Sequence, residues 1–141
     1  MNLAPALVLD ANILIRAVLG KRVRGLIETY TEQVRFFTPD VCVASAQEYL
    51  PDLAQRRGWP VGEGLALLAR VCDWIEVVDS TLYADFEATA RERMAGRDED
   101  DWPVAAVALT LDIPIWTEDR DFFGAGIATW TTDRVELYLK R

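Results

Sequence analysis

The stretch DEDDWPVAAVALTLDIPIWTEDRDFF, residues 98–123, places acidic side chains on both sides of a buried helix and a strand. Four acids at 98–101 come just before Pro103, and proline suits the first turn of a helix because its missing N–H needs no partner there. Residues 104–111 are apolar nearly all round, which predicts a buried helix. Residues 113–116 have the composition of a buried strand, and more acids follow it at 118, 119 and 121. The stretch therefore offers two groups of carboxylates that can face each other.

The rest of the chain alternates between strands and helices in the same way. Further strands are predicted at 7–9, 34–38, 74–78 and 127–130. Helices are predicted at 12–19, in a segment ending near 31, at 40–50, around 65–72, at 82–96 and at 135–139, and Pro51 either ends the helix at 40–50 or begins a continuation to 57. This alternation predicts an α/β fold, a three-layer α/β/α sandwich with a mostly parallel central sheet. The length of 141 residues predicts one domain, residues 1–141.

The chain is acidic, with a net charge of −8, and it contains no histidine. Charge alone therefore does not draw nucleic acid to it, and metal ions have to offset the field if the substrate is a polyanion. The absence of histidine excludes a Ser-His-Asp triad and His-ligated zinc. Lys21 and Lys140 are the only lysines, which argues against an Asp-based phosphatase, because such enzymes commonly hold the phosphoryl group with a lysine.

The cysteines and the first segment bear on the cellular compartment. Cys42 and Cys72 lie far apart with no CxxC spacing, which predicts two unpaired thiols in a reducing cytoplasm. The first twenty residues are hydrophobic but are interrupted by Asp10, Asn12 and Arg16, so we expect neither a signal peptide nor a membrane anchor.

Four acids are candidates for a metal site. Asp10 and Asp119 each follow a predicted strand, and parallel strands end at the same edge of a sheet. Asp101 begins the buried helix, and Glu48 is the best-placed acid on the earlier helices. Carboxylates that converge in a partly dry cleft repel one another, and a divalent cation removes that cost. Oxygen ligands without Cys or His favour Mg²⁺ or Mn²⁺, which activate water for attack on a phosphoryl group.

Some of these residues also have a purely structural explanation. Asp10 occupies the position of a helix N-cap. Ser45 stands three residues before Glu48, which is the spacing of a capping box. On local pattern alone, the structural and the functional interpretation are equally good for both acids.

The segments LVLDANIL at 7–14, RDEDDWPVAAVALTLDIPIWTEDRDF at 97–122 and ATWTT at 128–132, with the acid at Glu48, together resemble the PIN domain. This is a family of metal-dependent nucleases that includes the VapC-like toxins of bacterial toxin–antitoxin pairs. The resemblance covers nearly the whole chain. It implies Mg²⁺- or Mn²⁺-dependent cleavage of single-stranded RNA, a homodimer and a small antitoxin partner.

The resemblance also implies roles for individual residues. The implied metal ligands and catalytic residues are Asp10, Glu48, Asp101 and Asp119. Asn12 and Thr117 are implied to support them, and Asp121 to act in the outer shell.

The sequence departs from the PIN pattern at two places. Ala11 stands where the family commonly has Thr or Ser. Glu48 lies farther from Pro39 than the pattern implies, so Asp40 and Asp52 remain alternatives for the second ligand. At the start of the buried helix, Asp100 likewise remains an alternative to Asp101.

The basic residues nearest the first helix are the candidates for RNA binding. They are Arg16, Lys21, Arg22 and Arg24. A solvated surface is the alternative for each of them. The alternative for the whole chain is a non-catalytic PIN-fold module that binds protein, which the four acids argue against, because an idle site has no reason to bury charge.

Overall fold

The central sheet has five parallel strands. The structure, a computed structural model, describes residues 4–141, and the strands lie in the order β3-β2-β1-β4-β5. Their bounds are β1 Ala6–Leu9, β2 Arg35–Pro39, β3 Ile75–Val78, β4 Ile115–Trp116 and β5 Thr129–Trp130. Each neighbouring pair is parallel, with Val8 opposite both Phe37 and Ile115. The carboxyl ends of all five strands therefore open at one edge.

Helices cover both faces of the sheet. Leu7, Val8 and Leu9 are all 0% exposed, and successive side chains of a strand point to opposite faces. The helices are α1 Ala11–Leu19, α2 Arg22–Tyr30, α3 Asp40–Arg56, α4 Glu63–Cys72, α5 Ser80–Tyr83, α6 Glu87–Arg93, α7 Trp102–Leu111 and α8 Val135–Leu139. The predicted three-layer α/β/α sandwich is confirmed.

Helix α7 is the most buried helix of the fold. Its residues 103–108 are all buried, as its uniformly apolar sequence predicts. Ala105 and Ala106 have no exposed surface, and their small side chains let α7 approach β1, β2 and α6 closely. Pro103 lies in the first turn, and a 3-10 turn, Glu99–Asp101, leads into it. Asp101 is thereby held at the start of a fixed helix.

The prediction of one continuous helix at 82–96 is wrong. The chain instead forms α5, a 3-10 turn Ala84–Phe86 and α6. Tyr83 is 1% exposed, its hydroxyl donates to Asp40 at 2.7 Å, and its ring stacks on Trp102 at 5.7 Å. We attribute the break to this anchoring, which a helical periodicity does not reveal.

Two local expectations on α3 are also settled. The helix continues through Pro51 to Arg56, so the alternative in which it ends at Pro51 is wrong and the predicted continuation towards 57 is confirmed. Ser45 lies inside the helix rather than at its N-terminus, so it forms no capping box with Glu48. The proposed structural explanation for Glu48 is therefore wrong.

The strand predictions hold in position but not in length. The last strand was expected at 127–130 and comprises only Thr129–Trp130. Over residues 4–141, every helix is too short or too polar to cross a bilayer.

Candidate metal centre

Asp10 lies at the carboxyl end of β1 and is 5% exposed. Its Oδ1 accepts the backbone N–H of Ile13 at 2.9 Å, which makes Asp10 the N-cap of α1. Its Oδ2 accepts a short hydrogen bond from the hydroxyl of Thr117 at the end of β4. Burial raises the pKa of Asp10 to about 6, against the lowering effect of both hydrogen bonds. Asp10 is therefore both a helix cap and a buried acid with a fixed orientation.

The segment after β4 is held by side chains that accept backbone N–H groups. Thr117 Oγ1 accepts the N–H of Asp119 at 2.9 Å, and Asp119 Oδ1 accepts the N–H of Asp121 at 2.9 Å. Thr117 thus contacts Asp10 on one side and orients Asp119 on the other. This hydrogen-bonded series joins the ends of two adjacent strands.

Asp101 approaches the same edge from the start of α7. Partial burial raises its pKa to about 7, with further contributions from the charge of Asp98, a hydrogen bond with Asp119 and the charges of Asp119 and Asp10. Three of the four predicted ligands, Asp10, Asp101 and Asp119, therefore lie close enough for their charges to affect one another's pKa values. Thr117 connects Asp10 with Asp119 through hydrogen bonds, and the start of α7 brings Asp101 towards the same edge.

A tighter group of carboxylates lies beside them. Oxygens of Asp98, Asp101 and Asp121 all lie within 4.8 Å of one another. Two ligands on opposite sides of Mg²⁺ are about 4.2 Å apart, because each bond is about 2.1 Å long, so small side-chain movements suffice. The donor set consists of oxygens and suits Mg²⁺ or Mn²⁺. The carboxylates here fit a divalent cation.

Cys42 is the thiol nearest to this edge, and it is a poor ligand. Burial raises the pKa of Cys42 to about 12, and the charge of Asp10 adds to the effect. Mg²⁺ and Mn²⁺ prefer oxygen ligands to sulfur, so carboxylates are the expected ligands at this edge.

Asp98 is a member of this group that the sequence reasoning missed. Its side chain accepts the N–H of Asp100 at 3.1 Å, in line with the capping role expected of the acids at 98–101. The same side chain faces Asp101 and Asp121 across the site. Asp100 is exposed and does not belong to the group. The geometry thus favours Asp101 over Asp100.

Glu48 is not among the acids that interact in the structure. It is exposed on α3, roughly 120° around the helix from Cys42, which is the residue that α3 places near Asp10. The charges that raise the pKa of Asp10 and Asp101 come from other residues. Its role as second ligand stays a prediction.

The two alternatives to Glu48 have structural partners. Asp40 accepts the hydroxyl of Tyr83 at 2.7 Å and the N–H of Ser80 at 3.2 Å, which ties α3 to α5. Asp52 forms an exposed ion pair with Arg56 at 2.9 Å. These contacts explain both acids without a metal.

A cleft of about 950 Å³ opens beside Asp119. It is lined by the predicted residues Asn12, Arg16, Lys21 and Arg22. Arg57 and Arg120 line it as well, and the sequence reasoning missed both. Asn12 and Asp119 on its wall connect the cleft to the acidic edge.

Arg24, the remaining residue of the predicted basic group, is engaged elsewhere. Its Nη1 donates to the carbonyls of Ala17 and Val18 at 3.1 and 2.9 Å. Arg24 therefore stabilises the end of α1, where backbone carbonyls lack helical partners.

The sequence matches one family model over nearly its full length. The model describes the PIN domain, and it matches residues 8–140. No curated protein is similar to the chain in sequence.

Several solved structures share the fold at low sequence identity. PAE2754 from Pyrobaculum aerophilum has a TM-score of 0.66 at 19% identity, with 97% of this chain and 90% of that chain covered. VapBC2 from Rickettsia felis, bound to a DNA fragment from their promoter, has a TM-score of 0.69 at 12% identity, with 89% and 98% covered. FitAcB from Neisseria gonorrhoeae has a TM-score of 0.59 at 17% identity, with 89% and 97% covered. At these identities the likeness shows the fold.

The raised pKa values predict an unusual pH dependence of stability without metal. Asp10 has a pKa of about 6 when folded and about 3.9 when unfolded, so the folded state binds its proton more tightly. That contribution to the free energy of unfolding is full below pH 4 and is lost as pH rises through about 6, at a cost of about 3 kcal/mol. We expect the melting temperature in chelator to fall between pH 5.5 and 8, as measured by calorimetry. No histidine titrates in this range.

The matched variant is Asp10→Asn, which keeps a good N-cap but carries no charge. We expect it to melt at a higher temperature than the wild type at pH 8 in chelator, with a flatter pH profile. A wild-type melting temperature that rises from pH 5.5 to 8 contradicts the assignment of Asp10 and Asp101 as acids whose pKa values are raised by burial and by neighbouring charges.

Proposed function

The chain belongs to the PIN domain family, and from this we propose that it is a divalent-metal-dependent endoribonuclease, which cleaves RNA phosphodiester bonds with metal-activated water. The observation that carries the proposal is the placement of three acids at one sheet edge: Thr117 connects Asp10 with Asp119, and Asp101 begins α7 beside them. The oxygens of Asp98 and Asp121 beside Asp101 support it further. Asp10 is buried and Asp101, Asp119 and Asp121 are partly buried. Bringing these carboxylates together without a counter-ion is costly, so the arrangement supports a cation as the resident partner.

The proposed metal-binding residues divide by position. Asp10, Asp101 and Asp119 are the proposed ligands at the sheet edge, with Glu48 the fourth by resemblance to the family. Thr117 supports them by bonding to Asp10 and to the backbone of Asp119. Asn12, on the cleft wall, is proposed to support the same site. Asp98 and Asp121 form the outer part of the acidic group.

A bound Mg²⁺ or Mn²⁺ would polarise the scissile phosphate and lower the pKa of a water molecule that attacks it. The side chains provide orientation. Thr117 and the N–H of Ile13 bind the two oxygens of Asp10 and hold this carboxylate in one orientation. Asp101, whose pKa is near 7, gives up its proton when the cation binds, so metal affinity rises with pH.

The cleft beside Asp119 is the proposed path of the RNA. The chain has a net charge of −8, yet five basic residues line this one cleft. They are Arg16, Lys21, Arg22, Arg57 and Arg120. Arg120 directly follows Asp119, so a phosphate bound there lies next to the metal-binding acids. Arg24 supports the group indirectly by holding the end of α1.

The partners follow from the resemblance to VapC-like toxins. We propose a small antitoxin protein as partner. The similarity in fold to VapBC2, which is bound to a DNA fragment from their promoter, supports this assignment.

We further propose a homodimer, with Val41 and Leu82 as exposed apolar side chains available to an interface. The unpaired thiols of Cys42 and Cys72 support a cytoplasmic location.

Carboxylate substitutions test the proposed metal centre. We expect Asp10→Asn, Asp101→Asn and Asp119→Asn each to reduce cleavage of single-stranded RNA by at least about 100-fold, because each removes a charge that holds the cation. Cleavage is measured with Mg²⁺ or Mn²⁺ present and again after chelation, which should abolish it. Circular dichroism checks that each variant is folded.

Asp100→Asn is the matched control, since it removes an adjacent carboxylate that lies outside the acidic group. The Asp100→Asn variant should keep near wild-type cleavage. A comparison of Glu48→Gln, Asp40→Asn and Asp52→Asn identifies the second ligand as the residue whose substitution abolishes cleavage. Activity that survives chelation overturns the metal mechanism. A folded wild type that binds metal but cleaves no RNA favours the non-catalytic PIN-fold binding module.

Substitutions in the cleft test the path of the RNA. Replacing Arg16, Lys21 and Arg22 together by Gln should weaken RNA binding and lower the slope of log affinity against log salt by about one unit for each lost phosphate contact. Binding is measured with the Asp119→Asn background to prevent cleavage. Mn²⁺ affinity, measured in the Asp119 wild-type background, should stay nearly unchanged.

The control carries the same change in charge at a distance from the cleft. Replacing Arg70, Lys140 and Arg141 by Gln gives the same net charge, and all three side chains are exposed outside the cleft lining. An equal effect of both triple variants means that overall charge, and not this cleft, governs binding.

A further inference from the structure

Arg97 joins the two segments that carry the acidic group. It directly precedes Asp98, and its Nη1 donates to the carbonyls of Asp121 and Phe123 at 2.9 and 2.5 Å. The segment before α7 and the segment after β4 are therefore connected by one side chain. The carboxylates of Asp98 and Asp121 lie on opposite sides of this connection and within 4.8 Å of Asp101.

Arg93 makes a similar connection farther from the acids. Its Nη1 donates to the carbonyls of Ala125 and Gly126 at 3.3 and 3.0 Å. Arg93 and Arg97, four residues apart, thus bind successive carbonyls of the same loop. We call these two residues the arginine clasp.

The loop backbone is shaped to accept the clasp. Gly124 and Gly126 have φ values of 83° and 82°, in the left-handed region that favours glycine. A Cβ at Gly126 would collide with Nη1 of Arg93, and one at Gly124 would lie 3.4 Å from Nη2 of Arg97. Both arginines therefore approach the backbone where side chains are absent.

Arg97 donates its hydrogen bonds to backbone carbonyls and forms no ion pair with the carboxylates of Asp98 and Asp121. Within residues 4–141 the ion pairs join Arg35, Arg56 and Arg91 to acids, and Arg97 forms none. A guanidinium paired with Asp98 or Asp121 would neutralise the acids that surround the proposed ligand Asp101. Bound to carbonyls, Arg97 connects the two segments and leaves both carboxylates free of an ion pair.

We propose that Arg97 is a positioning residue that holds the outer acids Asp98 and Asp121 at their spacing from Asp101, a proposed ligand of the divalent cation, while Arg93 anchors the same loop without acting on the acids. This role rests on the proposed metal centre. Partners that orient ligands typically contribute 10–100-fold to metal affinity.

The experiment compares Arg97→Gln and Arg97→Lys with Arg93→Gln in the full chain. Mn²⁺ affinity is measured by calorimetric titration, and melting temperature is measured in chelator. We expect both Arg97 variants to bind Mn²⁺ about 10–100-fold more weakly, because neither Gln nor Lys reproduces the planar guanidinium. Arg93→Gln should change Mn²⁺ affinity less than about threefold, even if its melting temperature falls as far as that of the Arg97 variants.

A second readout separates positioning from general damage. With saturating Mn²⁺, RNA cleavage by the Arg97 variants should return to within a few fold of the wild type, with KM for RNA unchanged. Arg97→Lys, which keeps the charge and most of the volume, serves as the variant to measure if Arg97→Gln does not fold.

The outcomes distinguish failure of the positioning role of Arg97 from failure of the proposed metal centre. Wild-type Mn²⁺ affinity in the Arg97 variants, or an equal loss in the Arg93 variant, reduces Arg97 to a loop anchor and overturns the positioning role. If the wild type itself does not bind Mn²⁺, the proposed metal centre fails and the positioning role fails with it.

Discussion

The burial of carboxylates beside one another, at the ends of β1 and β4, is the constraint on which the site depends. Asp10 is buried, Asp101 is half-buried, and Asp119 interacts with both. Water cannot screen charges well at this depth, so the protein holds them in place with directed hydrogen bonds. Two hydrogen bonds are central: the hydroxyl of Thr117 donates to Asp10, and the backbone N–H of Asp119 donates to Oγ1 of Thr117. A divalent cation turns this costly arrangement into a favourable one.

The topology explains why these residues meet. Because β1 lies between β2 and β4, the residue after β1 adjoins the residue after β4, although more than a hundred positions separate Asp10 from Thr117. The small side chains of Ala105 and Ala106 let α7 lie against β1 and β2, which brings Asp101 to the same edge. Sheet order and helix packing thus determine the chemistry of the site.

The sequence predicted the parts of the fold that local pattern controls. Apolar runs located the strands, and acids after strands identified Asp10 and Asp119, because parallel strands end at one edge. Asp98, Arg57 and Arg120 were missed because their roles depend on contacts between distant segments. The break at Tyr83 was missed for the same reason, since its partners Asp40 and Trp102 are remote in sequence. The sequence pattern was sufficient to locate the strands and helices. Contacts between distant segments determine which side chains meet, and a local pattern does not contain them.

The most direct test of the account is a crystal structure of the protein grown with Mn²⁺, with anomalous diffraction to locate the ion. The account predicts an anomalous peak about 2.1 Å from carboxylate oxygens of Asp101 and at least one of Asp10 and Asp119. Occupancy that rises between pH 5.5 and 8 would fit the loss of protons from these acids. A well-ordered structure in millimolar Mn²⁺ with no peak at this edge, or with a peak only elsewhere, contradicts the account.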